Sequence, residues 1–269
     1  MANISSKVIW LTGASSGIGE ALAYALARKK VKLILSSRRK EELERVKGNC
    51  HPLAQPNIRI LPMDLGEGST LQLTTEAAVQ LFGHIDILLN NGGISQRALA
   101  KDTIVEADRR IMEIDYFGTM ALSKYLLPHF IKRKSGHYVT VSSVMGLIGT
   151  PYRSGYAAAK HALHGFFDSL RAELWRESKS IYVTMICPGW VRTNISMNAL
   201  MGDGSKLNQM DSTTSDGLDA KVVAKKIIAA IESRENEVYI GGLKEVAAVY
   251  LKRYMPGLFA RIVRKAKVR

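Results

Sequence analysis

The stretch Thr12-Gly13-Ala14-Ser15-Ser16-Gly17-Ile18-Gly19 decides the fold. It stands between the apolar run Val8-Ile9-Trp10-Leu11 and the helical run Glu20-Ala21-Leu22-Ala23-Tyr24-Ala25-Leu26. Three glycines let a chain turn sharply from strand to helix and lie close to a diphosphate, whose charge meets the unpaired N–H groups of the helix N-terminus. A glycine-rich turn by itself also suits a plain tight connection. The strand before it and the helix after it favour a dinucleotide site.

Outward from this loop, short β-branched runs alternate with longer helical patterns. Strands are predicted over 8–12, 31–36, 58–63, 85–90, 137–142, 181–187 and 237–240, with helices between them. Ile85-Asp86-Ile87-Leu88-Leu89 is nearly continuous in hydrophobicity, as a strand covered on both faces must be. The expected fold is α/β: one domain over 1–269, a Rossmann-type doubly wound parallel sheet of about seven strands with helices on both faces. Ligands then sit at the carboxyl ends of the strands. The stretch 194–217 has no clear periodicity and is rich in Met, Ser, Gly and Asp. It is expected to be either a mobile substrate loop or an exposed insertion.

Composition narrows the function classes. The 269 residues carry 38 Lys and Arg against 24 Asp and Glu, a net charge of +14, which favours anionic partners. Base-stacking aromatics do not interleave with these cations and no nucleic-acid module is visible, so no nucleic-acid partner is expected. Cys50 and Cys187 lie far apart, without a Cys/His cluster, and suggest neither a disulfide framework nor a zinc site. His161 and His164 likewise have no spaced Cys or carboxylate partners and are expected to be core or surface residues, so the metal expectation is none. No run approaches the roughly 18 apolar residues of a membrane span, and the sequence begins almost at its first strand; a soluble, cytoplasmic protein is expected.

About 20 residues past the glycine loop, a carboxylate would hold the 2′-hydroxyl of an adenosine ribose. The sequence there is Ser36-Ser37-Arg38-Arg39-Lys40. Arg38 can form charge-assisted bonds to a 2′-phosphate, so NADP(H) is expected over NAD(H). The competing reading takes the three cations as the solvated start of a helix.

Ser142-Ser143 closes a predicted strand, and Tyr156-Ala157-Ala158-Ala159-Lys160 follows after a Gly/Pro-containing loop. Positions four apart share a helix face, so Tyr156 and Lys160 can address one ligand. A phenol titrates near pH ~10, and a neighbouring ammonium favours its ionised form. Ser143 can hydrogen-bond a substrate oxygen while nicotinamide C4 gives or takes hydride and Tyr156 balances the proton.

These motifs together resemble the short-chain dehydrogenase/reductase family over nearly the whole chain, and the 194–214 segment and the tail resemble its member 7B-like branch. The resemblance implies that Gly13, Ser15, Ser16 and Ile18 form the family's phosphate loop, and that Asp64 and Leu65 contact adenine. It implies that Asn91, in the Asn90-Asn91-Gly92-Gly93 turn, lines the cofactor, and that Val191 and Thr193 in Pro188-Gly189-Trp190-Val191-Arg192-Thr193 meet the nicotinamide end. Ser143, Tyr156 and Lys160 match the catalytic set, with Tyr156 and Lys160 also touching the cofactor. The family's catalytic Asn is replaced by Asp115, whose carboxylate, if near Lys160, raises the Lys pKa and changes the pH profile. The branch implies an apolar or lipid-like carbonyl or alcohol substrate, the family a possible homo-oligomer.

The tail, 245–269, has no acidic residue after Glu245 but carries Lys252, Arg253, Arg261, Arg264, Lys265, Lys267 and Arg269. Leu251, Tyr254, Met255, Leu258, Phe259, Ile262 and Val263 recur at spacings of three and four. Two readings stand: peripheral contact with an anionic membrane, or an apolar face packed on the domain or on another subunit with solvated cations. Pro256 marks a break or a fresh helical start.

Overall fold

In β1 (Val8–Thr12), Val8 and Trp10 point to one face of the sheet and Ile9 and Leu11 to the other, and all four are fully buried. That alternation requires cover on both faces, and the computed structural model, which describes residues 3–209 and 212–266, supplies it. Ile9, Leu11, Leu33 and Leu35 pack with Leu22 and Leu26 of α1 (Gly17–Ala27) and with Val223, Ile227 and Ile231 of α8 (Ala220–Ser233). Val8, Trp10, Ile34 and Leu88 pack with Leu122, Leu126 and Phe130 of α5 (Thr119–Arg133) and with Leu163 and Phe167 of α6 (Ser154–Glu177). The molecule is a three-layer sandwich with a core on each side of the sheet.

The sheet has seven parallel strands in the order β3-β2-β1-β4-β5-β6-β9. Besides β1 these are β2 (Lys32–Ser36), β3 (Ile58–Ile60), β4 (Ile87–Asn90), β5 (Gly136–Val141), β6 (Ile181–Pro188) and β9 (Glu237–Ile240). All seven predicted strands are present, β1 and β9 with the predicted bounds and the others with end shifts of one to three residues. The chain reverses direction of travel across the sheet between β1 and β4, which opens a crevice at their carboxyl ends. The remaining named helices are α2 (Lys40–Gly48), α3 (Leu71–Phe82), α4 (Val105–Met112), α7 (Ser212–Ser215), α9 (Leu243–Tyr254) and α10 (Pro256–Val263). Pro256 stands in the first turn of α10, as expected for a fresh helical start.

The 194–217 segment is more firmly held than its composition suggests. Its two ends are tied by a small parallel ladder between β7 (Val191–Arg192) and β8 (Leu218–Asp219), absent from the sequence reading because two-residue strands carry no periodicity. In its middle, Leu200 N donates to Ser95 O at 2.8 Å and Leu200 O accepts from Arg97 N at 2.9 Å. Ser196 and Ala199 are fully buried. The segment is thus hydrogen-bonded at both ends and in the middle, while most of its described residues are partly or fully exposed; Met210 and Asp211 lie outside the described residues, as do Lys267 and Arg269 of the tail.

Candidate active site

A cleft of about 470 Å³ lies over the carboxyl ends of β1, β2, β4, β5 and β6. At its floor the glycine loop is forced into shape by close approaches of the main chain. Gly13 has a φ of +64°, and a Cβ on Gly19 would stand 2.1 Å from the carbonyl oxygen of Gly13. Ser16, the N-cap of α1, makes no side-chain cap bond, so the first-turn N–H groups face the cleft for an anion. Thr12 Oγ1 accepts from Asn91 N and Gly92 N, both at 3.0 Å, and Asn91 Nδ2 donates to Thr12 O at 3.1 Å and Gly13 O at 3.3 Å. Asn91 therefore lines the cleft while its side-chain nitrogen is spent holding the loop to the end of β4. Arg45 of α2 clamps the other side, donating to Ser15 O at 3.2 Å and Glu20 Oε1 at 2.7 Å. The bond from Arg45 holds the Glu20 carboxyl below the usual carboxylate range.

The far end of the cleft is shaped for a nucleoside. Met63, Asp64 and Leu65 form one wall, and Asp64 Oδ1 accepts from Gly66 N at 2.9 Å, folding the turn behind them. Ser37, Arg38 and Arg39 form the other. Both arginines are exposed, and the Ser37 hydroxyl is buried with no hydrogen-bond partner among the described residues. A buried hydroxyl of that kind beside two guanidinium groups fits an anionic oxygen cluster.

At the opposite end, Ser143 follows β5 and caps a single 3-10 turn. Its Oγ accepts from Met145 N at 3.1 Å and donates to Pro188 O at 3.3 Å. Tyr156 and Lys160 stand one turn apart on α6, both nearly buried and both lining the cleft. The Lys160 Nζ is 5.6 Å from the Tyr156 ring centroid and donates to Val141 O at 3.4 Å. Val191 and Thr193 complete the wall on the β6 side. Ser143, Tyr156, Lys160 and the glycine loop, up to 147 residues apart in sequence, thus share one cleft.

Asp115 sits on a single π-helical turn, 113–118, inserted between α4 and α5; such turns commonly serve functional positions. Its carboxylate is fully buried, with Oδ1 accepting from Ile94 N at 2.7 Å and Oδ2 3.1 Å from Lys160 Nζ. The two groups are a buried ion pair. Burial disfavours the Lys160 ammonium, but the charges of Asp115 and Tyr156 outweigh it and its pKa lies above the ordinary lysine range. Burial dominates on Asp115, whose pKa is raised in spite of Lys160 and the Ile94 N–H. A family Asn at this position would leave Lys160 without that counter-charge.

Two positioning residues escaped the sequence reading. Gln96 is fully buried, and its Oε1 accepts from Gly155 N at 2.8 Å and Tyr156 N at 3.3 Å, satisfying the orphan N–H groups of the α6 terminus. Its Nε2 donates to Asp108 Oδ1 at 3.2 Å and Thr103 Oγ1 at 3.3 Å. Arg45 is the second. Neither carries a local signal, because the site residues each one holds, Gly155 and Tyr156 for Gln96 and Ser15 and Glu20 for Arg45, lie 25 or more positions away. His164 is buried, as a core residue is, but distant parts of the chain give it the Cys and carboxylate neighbours that its surroundings in sequence lack. Its Nε2 lies 3.7 Å from Cys187 Sγ and its Nδ1 3.4 Å from Glu237 Oε2, a hydrogen-bonded chain through both ring nitrogens. Burial pushes the Cys187 thiol up, so it enters this chain protonated.

On the substrate side, Ile94, Val144, Met145, Trp190 and Ile195 give an apolar lining, with Ser95, Asn194, Asn198 and Lys206 beside them. The Arg153 guanidinium stacks on Trp190 with its carbon 4.4 Å from the ring centroid.

Glycine loop, doubly wound sheet and Tyr/Lys pair together define a nicotinamide-type oxidoreductase cleft, and comparison with known proteins agrees: the short chain dehydrogenase family model matches residues 7–203, and the chain belongs to that family of oxidoreductases. Within it, the chain is 43% identical to human dehydrogenase/reductase SDR family member 7 over 94% of this chain and 75% of that protein. It is 40% identical to the Drosophila melanogaster dehydrogenase/reductase SDR family protein 7-like over 99% of this chain and 82% of the relative. Mouse member 7B is 39% identical over 97% of this chain and 81% of its own length. A Burkholderia phymatum short chain dehydrogenase/reductase, solved in complex with NAD, superposes with a TM-score of 0.83 at 22% identity, covering 96% of each chain. An alcohol dehydrogenase of Thermococcus sibiricus, complexed with 5-hydroxy-NADP, gives 0.73 at 21% identity over 88% of this chain and 97% of its own.

Proposed function

We propose that this protein is an NADP(H)-dependent oxidoreductase acting on the carbonyl or alcohol group of an apolar, lipid-like substrate. The observation that carries the reading is the meeting of Ser143, Tyr156 and Lys160 with the glycine loop in one cleft. NADP(H), when bound, supplies or accepts the hydride at its nicotinamide ring. Gly13, Ser15, Ser16 and Ile18 would hold the diphosphate through main-chain N–H groups and the α1 terminus; Asp64 and Leu65 would flank adenine. Arg38, with the Ser37 hydroxyl, would hold a 2′-phosphate. Structural neighbours carry NAD in one case and a 5-hydroxy-NADP in the other, so the preference rests on Ser37 and Arg38.

In the reducing direction the carbon gains hydride and its oxygen gains the Tyr156 proton, which returns to Tyr156 from solvent. Ser143 Oγ donates to the same oxygen as negative charge builds on it. Lys160 supports the tyrosinate electrostatically, and Asp115 keeps Lys160 protonated while partly cancelling its field. That cancellation is the one observation favouring a second reading, a catalytically weak NADP(H)-binding protein. The apolar wall of Ile94, Val144, Met145 and Trp190 supports the apolar substrate class.

NADPH and NADH titrations followed by a homologous series of ketones separate these readings. Tighter NADPH binding, with kcat/KM rising as the ketone lengthens, is expected. Equal affinity for the two nucleotides would overturn the cofactor assignment, and tight NADPH binding with no turnover across the series would establish the binding-only reading.

A further inference from the structure

Two helices at the end of the chain leave an apolar face uncovered. In α9, Leu243, Ala247, Tyr250 and Tyr254 recur at intervals of four, three and four, one stripe of the helix, and all are exposed. After the break at Met255, Leu258 and Ile262 continue the exposed face on α10. Leu243, Tyr250, Tyr254, Met255, Leu258 and Ile262 are between 40% and 92% exposed, a concentration beyond the scattered single residues of an ordinary surface. The opposite side of the same helices is packed: Val249, Ala248 and Phe259 lie on Val144, Met145, Ile148 and Tyr156. Of the two readings of the tail's apolar positions, packing on the domain describes the inner stripe.

The charges sort themselves the same way. Lys252 is turned inward, donating to Leu147 O at 2.6 Å and lying 3.3 Å from His161 Nε2, so it is a staple and not a surface cation. Glu245, the only carboxylate of the 243–266 stretch, faces Gly189 and Gly241. What remains on the outside is Lys244, Arg253, Arg261, Arg264 and Lys265, all exposed. Large apolar side chains flanked by cations, with the carboxylate turned away, complement an anionic headgroup layer. A second copy of the chain would be a poor occupant, since a two-fold contact through this patch would bring like charges together.

We propose that the outer face of α9 and α10 docks on the surface of an anionic lipid leaflet, Tyr254, Leu258 and Ile262 entering the headgroup boundary and Arg253, Arg261, Arg264 and Lys265 meeting lipid phosphates and carboxylates. No described helix is long and apolar enough to cross a membrane, so the contact is with one leaflet. Because Val144, Met145 and Tyr156 lie against these helices and also line the cleft, docking brings the substrate side of the cleft to the lipid.

The test is co-flotation of the full chain with vesicles of phosphatidylcholine alone and of equimolar phosphatidylcholine and phosphatidylserine. Native protein is expected to float with the anionic vesicles and less with the neutral ones. Replacing Arg261→Gln, Arg264→Gln and Lys265→Gln together should lower the partition coefficient on anionic vesicles by about a hundredfold, at roughly tenfold or less per charge. Tyr254→Ser, Leu258→Ser and Ile262→Ser together should lower it on both vesicle types. Unchanged thermal unfolding of both variants shows that the fold is kept. Equal flotation of native protein with both vesicles, or native-like partition of the glutamine variant, would overturn the proposal; so would native protein that self-associates through this face and becomes monomeric in the serine variant. The readout is independent of hydride transfer: a chain that floats but reduces no ketone would leave the docking face standing and remove the enzymatic reading.

Discussion

On the β1–β3 side of the cleft the groups proposed to meet a ligand are main-chain amides, and Thr12, Asn91 and Arg45 are spent on shaping the loop, bonding to backbone or to Glu20. On the β5–β6 side the groups proposed to act are side chains, Ser143, Tyr156 and Lys160, and Lys160 has a buried counter-charge beside it. Binding a diphosphate needs many weak donors in fixed directions, which a turn and a helix terminus provide at any residue type small enough to fit. Moving a proton needs one group of the right acidity in one place, which only particular side chains provide. Glycines are therefore the sensitive positions on the first side, and ionisable residues on the second.

The contrast can be broken by substitution, and the largest effect is expected at Tyr156, the proposed proton donor. Tyr156→Phe removes one hydroxyl from a site otherwise intact, and kcat is expected to fall by about 10²- to 10⁴-fold with NADPH affinity retained; a joint loss of both would mean that the two halves of the cleft are not separable. Gly19→Ala should do the reverse. Its methyl group would meet the Gly13 carbonyl at 2.1 Å, and since both sides are backbone neither can turn away. About 3 kcal/mol of strain is expected, read as weakened NADPH binding together with a lower thermal midpoint.

Arg38→Ser tests the edge of the nucleotide side where a side chain does act on the ligand. Removing a charge-assisted bond should raise the NADPH dissociation constant by about ten- to a hundredfold while leaving that of NADH unchanged; equal effects on both would place Arg38 outside the 2′-phosphate site.

Asp115→Asn sharpens the comparison most finely. With the carboxylate present, the pKa of Lys160 lies above its ordinary range, so the ammonium persists at alkaline pH. Without it, burial is left as the main influence, and burial lowers a lysine pKa; the ammonium is then lost at lower pH. Its field on Tyr156 is meanwhile no longer offset at neutral pH. The rise of alcohol oxidation with pH and its loss at alkaline pH, where the ammonium goes, are both expected to move toward acid. A superimposable profile would show that the ion pair does not reach the reacting proton.

How much of this was legible beforehand follows from the range of each signal. The seven strands and the glycine loop are periodic or compositional features of five to ten neighbouring residues, and the structure holds them where the pattern put them. Ser143, Tyr156 and Lys160 were visible as motifs, but that they converge depends on α6 packing against β6 and the 144–146 turn that follows β5. Gln96, the residue that fixes the α6 terminus, lies 59 positions from Gly155 and looks like any loop glutamine in sequence. The hydrogen-bond partners of the 194–217 stretch, Ser95 and Arg97, were not legible because they too are distant, and backbone bonds between irregular segments leave no residue pattern.

By itself the sequence determined the layered α/β plan and the oxidoreductase family, because hydrophobic period, glycine freedom and motif spacing are local features of the chain. Tertiary structure alone decided that Asp115 and Lys160 form a buried pair 3.1 Å apart, that His164 joins Cys187 to Glu237, and that one stripe of the tail is packed while the other is bare. Each of these depends on which side chains are deprived of water and which are set beside one another. Burial and charge proximity arise only when distant segments close on each other, and no stretch of residues contains them.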